Sequence, residues 1–275
     1  MTPTLAQTET ATVSILGSVS FGWLNQQGGF LEDERYYMDP ERHMEQDRAM
    51  SLLARRRFPA YRIYNLEAHL VQPEFRHKRP CLIGGLQPNL ILAACVGAQF
   101  VYHGDKDPDV TLTPIKDMES LDEVRQLDLL NAWPVTQFRE QVLAMRRKYG
   151  ESVDVIPPFF WDTSGRATFH GPVTTAQKLM GERFFLEMVD HPDFVREFLD
   201  WIVESYVKLA RHFAELAGLP ISGVHVGDCS VCMIGAEQFL EFDKEPTAKL
   251  IRELGPGRTV VTVLPDRGER YLSVI

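Results

Sequence analysis

The run HVGDCSVC, residues 225–232, puts an imidazole, a carboxylate and two thiols within eight positions. These are the groups that move protons, attack electrophiles or hold metals. The spacing of Cys229 and Cys232 is one that zinc often uses, normally with a second ligand pair from elsewhere. No second pair is evident, and Cys232 would serve as well as a small buried core residue. Asp228 is the stronger candidate for catalysis. A carboxylate at the end of a strand, in a partly enclosed site, suits binding a substrate N–H or positioning a proton, and His225 stands beside it as the second catalytic candidate.

Those groups need elements to aim them. Upstream, Phe194, Phe198, Ile202, Leu209, Phe213 and Leu216 recur at helical spacing along one face. Asp190 and Pro192 open this helix, and Gly218 followed by Pro220 closes it. From Pro192 to Ala217 it would run roughly 39 Å at 1.5 Å per residue, long enough to lie on the outside of a sizeable sheet. The β-branched run from Ile221 to Val226 then reads as a buried parallel strand, with a further helix starting near Ala236. Strand, polar loop and helix in that order form a βα unit, in which ligands bind beyond the carboxyl ends of the strands.

The same stretch carries a resemblance. Gly171-Pro172 opening a helix that contains Ala176, the GERFFLEMVDHPDFVREFLDWI run and the VHVGDCS strand end together resemble the uroporphyrinogen decarboxylase superfamily. That superfamily includes corrinoid-dependent methyltransferases that use zinc to activate a thiol. YYMDPERHMEQDRAM and the pattern around FVYHGDKDP resemble its methyltransferase branch. The resemblance implies a (β/α)8 barrel. It also implies an enzyme moving a methyl group between a corrinoid and a thiol, with zinc and a corrinoid as cofactors and a tetrapyrrole, a corrinoid or a corrinoid protein as partner. Decarboxylation of uroporphyrinogen, which needs no cofactor, is the alternative; the arginine-rich loop that grips the substrate carboxylates in true decarboxylases is not found. An inactive or corrinoid-binding partner protein is the third possibility.

Composition bounds these readings. The chain has 275 residues with 44% hydrophobic and 24% charged, ordinary values for a globular protein of one domain. A formal charge of -9 disfavours nucleic acid and anionic membranes as partners. Four cysteines in a chain of this length fit reduced thiols in a cytoplasmic protein better than a disulfide scaffold. The amino-terminal stretch lacks the basic region of a secretory or transit signal. Cys81 to Tyr102 contains no Asp, Glu, Lys or Arg, but its Gly, Pro, Asn and Gln residues mark a buried helix and strand rather than a membrane span.

In chain order, Thr12 to Leu16 reads as a strand and Gly17 to Gly22 as a loop, with Gly28-Gly29 as a turn. Asp39-Pro40 caps a helix running to about Arg56, where Arg55, Arg56 and Arg57 suit a solvated helix end. Arg62 to Leu66 is a strand, with Glu67 and His69 past its end as candidate binding groups or simply surface residues. Pro88 to Gly97 reads as a helix and Gln99 to Tyr102 as a strand. The following HGDKDPD supplies His103 and Asp105 as candidate binding groups, although Asp-rich turns also arise for backbone reasons alone. Helices are expected over 120–127 and 134–148, then a strand over 153–156. The aromatics Phe159, Phe160 and Trp161 that follow could wall a flat cofactor or belong to the core.

The strand count is about six, near Val13, Ile63, Val101, Val155, Val224 and Val260, where a closed barrel has eight. The expected fold is therefore an α/β barrel domain over 1–254, incomplete, followed by a divergent tail over 255–275. Relatives of the methyltransferase branch continue there with a His-x-Cys-Gly strand end that supplies two zinc ligands. Thr262 and Leu264 occupy those places, so the zinc set is expected to be incomplete. The tail instead resembles the carboxyl terminus of cysteine synthases, whose cofactor lysine has no counterpart upstream. An open sheet of six strands would leave two edges to pair with a second copy of the chain or to weaken the fold.

Overall fold

In a computed structural model, the structure describes residues 16–17, 19–59, 62–63 and 78–255. Val13, Glu67, His69, Val260, Thr262, Leu264 and the tail beyond Gly255 lie outside those residues. The chain opens with β1 (Leu16–Gly17), α1 (Phe21–Gly28), α2 (Glu34–Met38), α3 (Pro40–Arg57) and β2 (Arg62–Ile63). It continues through β3 (Arg79–Leu82), α4 (Pro88–Cys95), β4 (Phe100–Val101) and β5 (Asp109–Val110). Next come α5 (Met118–Arg125), α6 (Val135–Tyr149), β6 (Val153–Ile156), β7 (Arg166–His170), α7 (Pro172–Met180) and α8 (Arg183–Asp190). Then follow α9 (Pro192–Ala217), β8 (Gly223–Gly227) and a 3-10 helix (Cys229–Met233). The described chain closes with α10 (Ala236–Gln238), a π-helical turn (Phe239–Asp243) and α11 (Lys244–Leu254).

The strands pair in parallel as β1 with β2, β3 with β6 and β7 with β8. Parallel pairs joined through outer helices make this an α/β fold of the (β/α)8-barrel type, with six parallel strands among the described residues where a full barrel has eight. β3 and β7 were not anticipated. Each is short and mixed in polarity, with Arg79 and Pro80 in one and Arg166 and His170 in the other, so neither shows the apolar run of a buried strand. The strand at Val101 is also corrected. β4 pairs antiparallel with β5, so HGDKDP is the loop of a hairpin whose second strand starts at Asp109, and it does not end a barrel strand.

Local sequence sets several boundaries. The Asp39 side chain accepts from the amides of Glu41 and Arg42, and Pro40 fills the first helical position of α3. Ser20 caps α1 through the Trp23 amide at 3.2 Å, so a helix begins within the loop expected over Gly17 to Gly22. Every residue of α4 is buried, which explains a charge-free stretch without a membrane. Among the described residues no helix is long and apolar enough to cross one.

α9 spans Pro192–Ala217 and ends at Gly218 in the left-handed region, φ 64°. Asp190 does not open it, because that residue is the last of α8. Phe194, Phe198, Ile202, Leu209 and Phe213 are all buried, and Leu216 is partly so. Against this helix lie α7, α8 and α11, and the aromatic cluster of Phe159, Phe169, Tyr206 and Phe213 ties it to β7.

Candidate functional site

A cavity of about 380 Å³ opens where β3 and β6 end, bounded also by the inward-facing Thr168 and His170 of β7. The carboxyl ends of parallel strands are where α/β folds bind ligands. Phe21, Tyr36, Tyr37, Phe159, Phe160 and Trp161 supply its aromatic walls. Phe159 is buried at φ 72°, a conformation that costs a bulky residue of order 1–3 kcal/mol and gathers at functional sites. The Phe159 carbonyl accepts the Thr168 amide at 2.8 Å, and Phe160 bridges to Ala167, so β7 holds the bend in place.

One wall carries a polar network. The Tyr36 hydroxyl donates to Asp47 Oδ1 at 2.7 Å, and His43 Nε2 lies 3.2 Å from Asp47 Oδ2. His43 Nδ1 is 3.1 Å from the Tyr36 carbonyl, and its ring stacks on that of Tyr36 at 4.2 Å. Gly85, at φ 69°, passes so close that a Cβ would sit 2.6 Å from His43 Cε1. Beside this network Tyr37 donates to Glu32 Oε2 at 3.2 Å. Burial pushes the Glu32 carboxyl up to about 8; the Tyr37 bond opposes that, and nearby Asp107 and Asp47 reinforce it. His170 is held down to about 4, by burial first and then by Lys178 and His225, and its Nδ1 has no hydrogen-bond partner among the described residues. Among the described residues no lysine or arginine lines the cavity.

The candidates from the sequence divide. Phe160 and Trp161 line the cavity. His225 lies on β8 with its ring 5.2 Å from Trp161, its pKa lowered by burial and then by Arg166. His103 and Asp105 are exposed in the hairpin loop, and it is their neighbour Asp107 that reaches the cavity. Tyr36, Tyr37, His43, Asp47, Thr168 and His170 were not singled out. His43 and Asp47 stand four apart on α3, a spacing that puts them on one helical face, and that signal was available in the sequence.

Asp228, expected to face a pocket, is buried just past the end of β8. Its carboxylate accepts the amides of Val173 at 3.1 Å and Thr174 at 2.9 Å, and the Thr174 hydroxyl at 2.5 Å. It therefore caps the amino terminus of α7, whose own cap position is Gly171, and it does not line the cavity. A Cβ at Gly171 would fall 2.0 Å from Asp228 Oδ2, so only glycine admits this approach.

Asp243 lies beside Asp228, and both are buried. Two carboxyls in contact cannot both ionise cheaply. Burial, then the Asp228 charge, pushes Asp243 up to about 8, and burial raises Asp228 as well. The folded chain thus keeps a proton that the unfolded chain releases above pH about 4. Stability from Asp243 and Glu32 is full below their unfolded pKa values and is lost as pH rises through about 8. His170 acts oppositely, since the unfolded imidazole takes a proton below 6.5 that the folded one refuses until about 4. Urea midpoints should decline from pH 6 to 9, and Asp243→Asn should flatten the decline; an unchanged slope in that variant would sink the assignment.

Zinc does not fit the described residues. Cys229 and Cys232 are both exposed, and among the described residues no group of three or more His, Cys, Asp or Glu converges to hold a metal. A flat macrocycle finds better support, because Trp161, His225 and Arg166 form an aromatic and cationic ledge, with the Arg166 guanidinium 5.7 Å from the Trp161 ring.

A family model described as Uroporphyrinogen decarboxylase (URO-D) matches residues 89–265, well over half of the chain. No curated protein matches the sequence. Among solved structures, a methyltransferase from Methanosarcina mazei superposes with a TM-score of 0.53 at 19% identity, over 94% of this chain and 65% of that one. The likeness is one of fold, and this chain spans just under two thirds of that structure's length.

Proposed function

The chain belongs to the uroporphyrinogen decarboxylase family, and we propose that within it this protein is of the methyl-transferring kind, moving a methyl group between a corrinoid and a thiol. The observation that supports this reading is the cavity wall, which is aromatic, includes Asp47 and Asp107, and has no lysine or arginine among the described residues. Among the described residues a porphyrinogen bearing many carboxylates would find only Arg166, beside Trp161 at the mouth, to pair with, and each further charge would be buried at a cost of several kcal/mol. The chain's formal charge of -9 adds to that penalty. A neutral methyl group and a small thiol meet no such penalty.

A corrinoid, when bound, supplies the methyl group. Trp161, 38% exposed, offers a ring face to a flat macrocycle at the cavity mouth. His170, neutral through the physiological range with a pKa of about 4, is too weak a base to hold a thiol proton, so its role is to accept a hydrogen bond and orient the acceptor. Asp47, fixed by Tyr36 and His43, keeps the opposite wall polar and shaped. Thr168, held at the strand end by the Phe159 carbonyl, completes the floor.

Titration with methylcobalamin should quench tryptophan fluorescence, and Trp161→Leu should weaken binding by about tenfold, the order of 1.4 kcal/mol expected when a flat aromatic contact is lost. Incubation with small thiols should then yield methyl thioether and demethylated cobalamin, with the thiol proton released to solvent. Release of carbon dioxide from uroporphyrinogen with no cobalamin binding would overturn the reading in favour of decarboxylation. Binding without transfer would assign the protein to the non-catalytic corrinoid-binding kind.

A further inference from the structure

We propose that Cys229 and Cys232 form a reversible dithiol–disulfide pair, a redox site at the end of β8 that is distinct from the cavity. The four cysteines fall into two classes. Cys81 and Cys95 are buried, and burial pushes both thiols up to about 12, which keeps them protonated and inert. Cys229 and Cys232 are free and exposed.

The local backbone brings these two together. They stand three apart in the 3-10 helix Cys229–Met233. In such a helix the side chains of residues three apart eclipse, and a rise of about 2.0 Å per residue sets their Cα atoms about 6 Å apart. That separation lies inside the roughly 4.4–6.8 Å that a disulfide spans. The residue between them anchors the turn. Ser230 is buried, its amide donating to Thr174 Oγ1 at 2.8 Å and its hydroxyl to Gln177 Oε1 at 2.6 Å. With Ser230 turned inward onto α7, both thiols are left on the outward side. Since no third ligand converges on them among the described residues, the pair is suited to electron transfer rather than to metal binding.

The reaction partner is a small-molecule disulfide. One cysteine thiolate attacks a sulfur of that disulfide, forming a mixed disulfide and releasing one thiol. The second cysteine attacks the protein sulfur of the mixed disulfide and expels the other thiol. One protein S–S bond forms as one small-molecule S–S bond breaks; two electrons pass to the small molecule, and the two cysteine protons end on the released thiols.

The experiment equilibrates the folded full chain with reduced and oxidised glutathione at stepped ratios, then quenches with acid and alkylates. Native reduced protein should show two fast-reacting thiols toward an aromatic disulfide reagent, while Cys81 and Cys95 react only after denaturation. Both fast thiols should vanish together along one two-electron curve, with peptide mapping linking Cys229 to Cys232 and no glutathione retained. Cys232→Ser, with circular dichroism unchanged because the site is exposed, should instead retain one glutathione on Cys229. Two independently glutathionylated cysteines in the parent chain, a cross-linked dimer as the oxidised product, fast thiols that resist oxidation throughout, or stoichiometric zinc whose removal first exposes the thiols would each overturn the proposal.

Discussion

Asp228→Ala will destabilise the fold by about 3–5 kcal/mol, the range found when one partner of a buried, hydrogen-bonded charged group is removed. The carboxylate serves three donors of α7, namely the Val173 and Thr174 amides and the Thr174 hydroxyl. Without it the amides at the head of the helix are buried and unpaired, each costing about 1–3 kcal/mol. Asp243 loses its partner at the same time. The gap cannot be covered locally, because the cap position is Gly171, which has no side chain to offer. Asp228→Asn keeps the shape and one acceptor oxygen, so it should cost about half as much. Urea denaturation measures both. A loss below about 1 kcal/mol for the alanine variant would mean that α7 does not depend on this residue. Loss of the proposed methyl transfer in the asparagine variant, with stability intact, would give Asp228 a catalytic role.

Phe198→Ala should cost about 3–5 kcal/mol through the transfer of a large side chain and the cavity it leaves. Phe198 is fully buried in the first third of α9. Its ring lies 5.8 Å from that of Phe194, 6.0 Å from Trp201 and 6.4 Å from Phe184. Those neighbours belong to α8 and to α9 itself, so collapse into the void would have to shift one helix against another. Thermal or denaturant unfolding gives the number, and a loss under about 1 kcal/mol would show that the site refills.

The family shown by the match over 89–265 was legible in motif and spacing before any coordinates, and so was α9 from Pro192 to Ala217. A helix of that length announces itself, because apolar residues at three- and four-residue intervals, a proline at its start and a glycine at its end all act within a few residues of one another. The charge-free stretch around α4 was likewise readable as buried, since its composition already mixed apolar residues with turn formers.

The candidate site was legible only in part. Phe160 and Trp161 lie where the aromatic run suggested, lining a cavity at a strand end. Asp228 was read as chemistry because strand-end acids often are, yet its fate is set by Val173 and Thr174, more than fifty residues earlier. Nothing near Asp228 in the chain records that a helix lacks its own cap there. In the same way β3 and β7 are strands by virtue of β6 and β8 lying beside them, not by their own mixed sequences. The sequence alone determined what depends on neighbours along the chain: helix periodicity, capping, and the family's motifs. Tertiary structure alone decided which polar groups share a wall and which are spent satisfying backbone amides, because hydrogen bonds and burial between distant segments exist only once the chain has closed on itself.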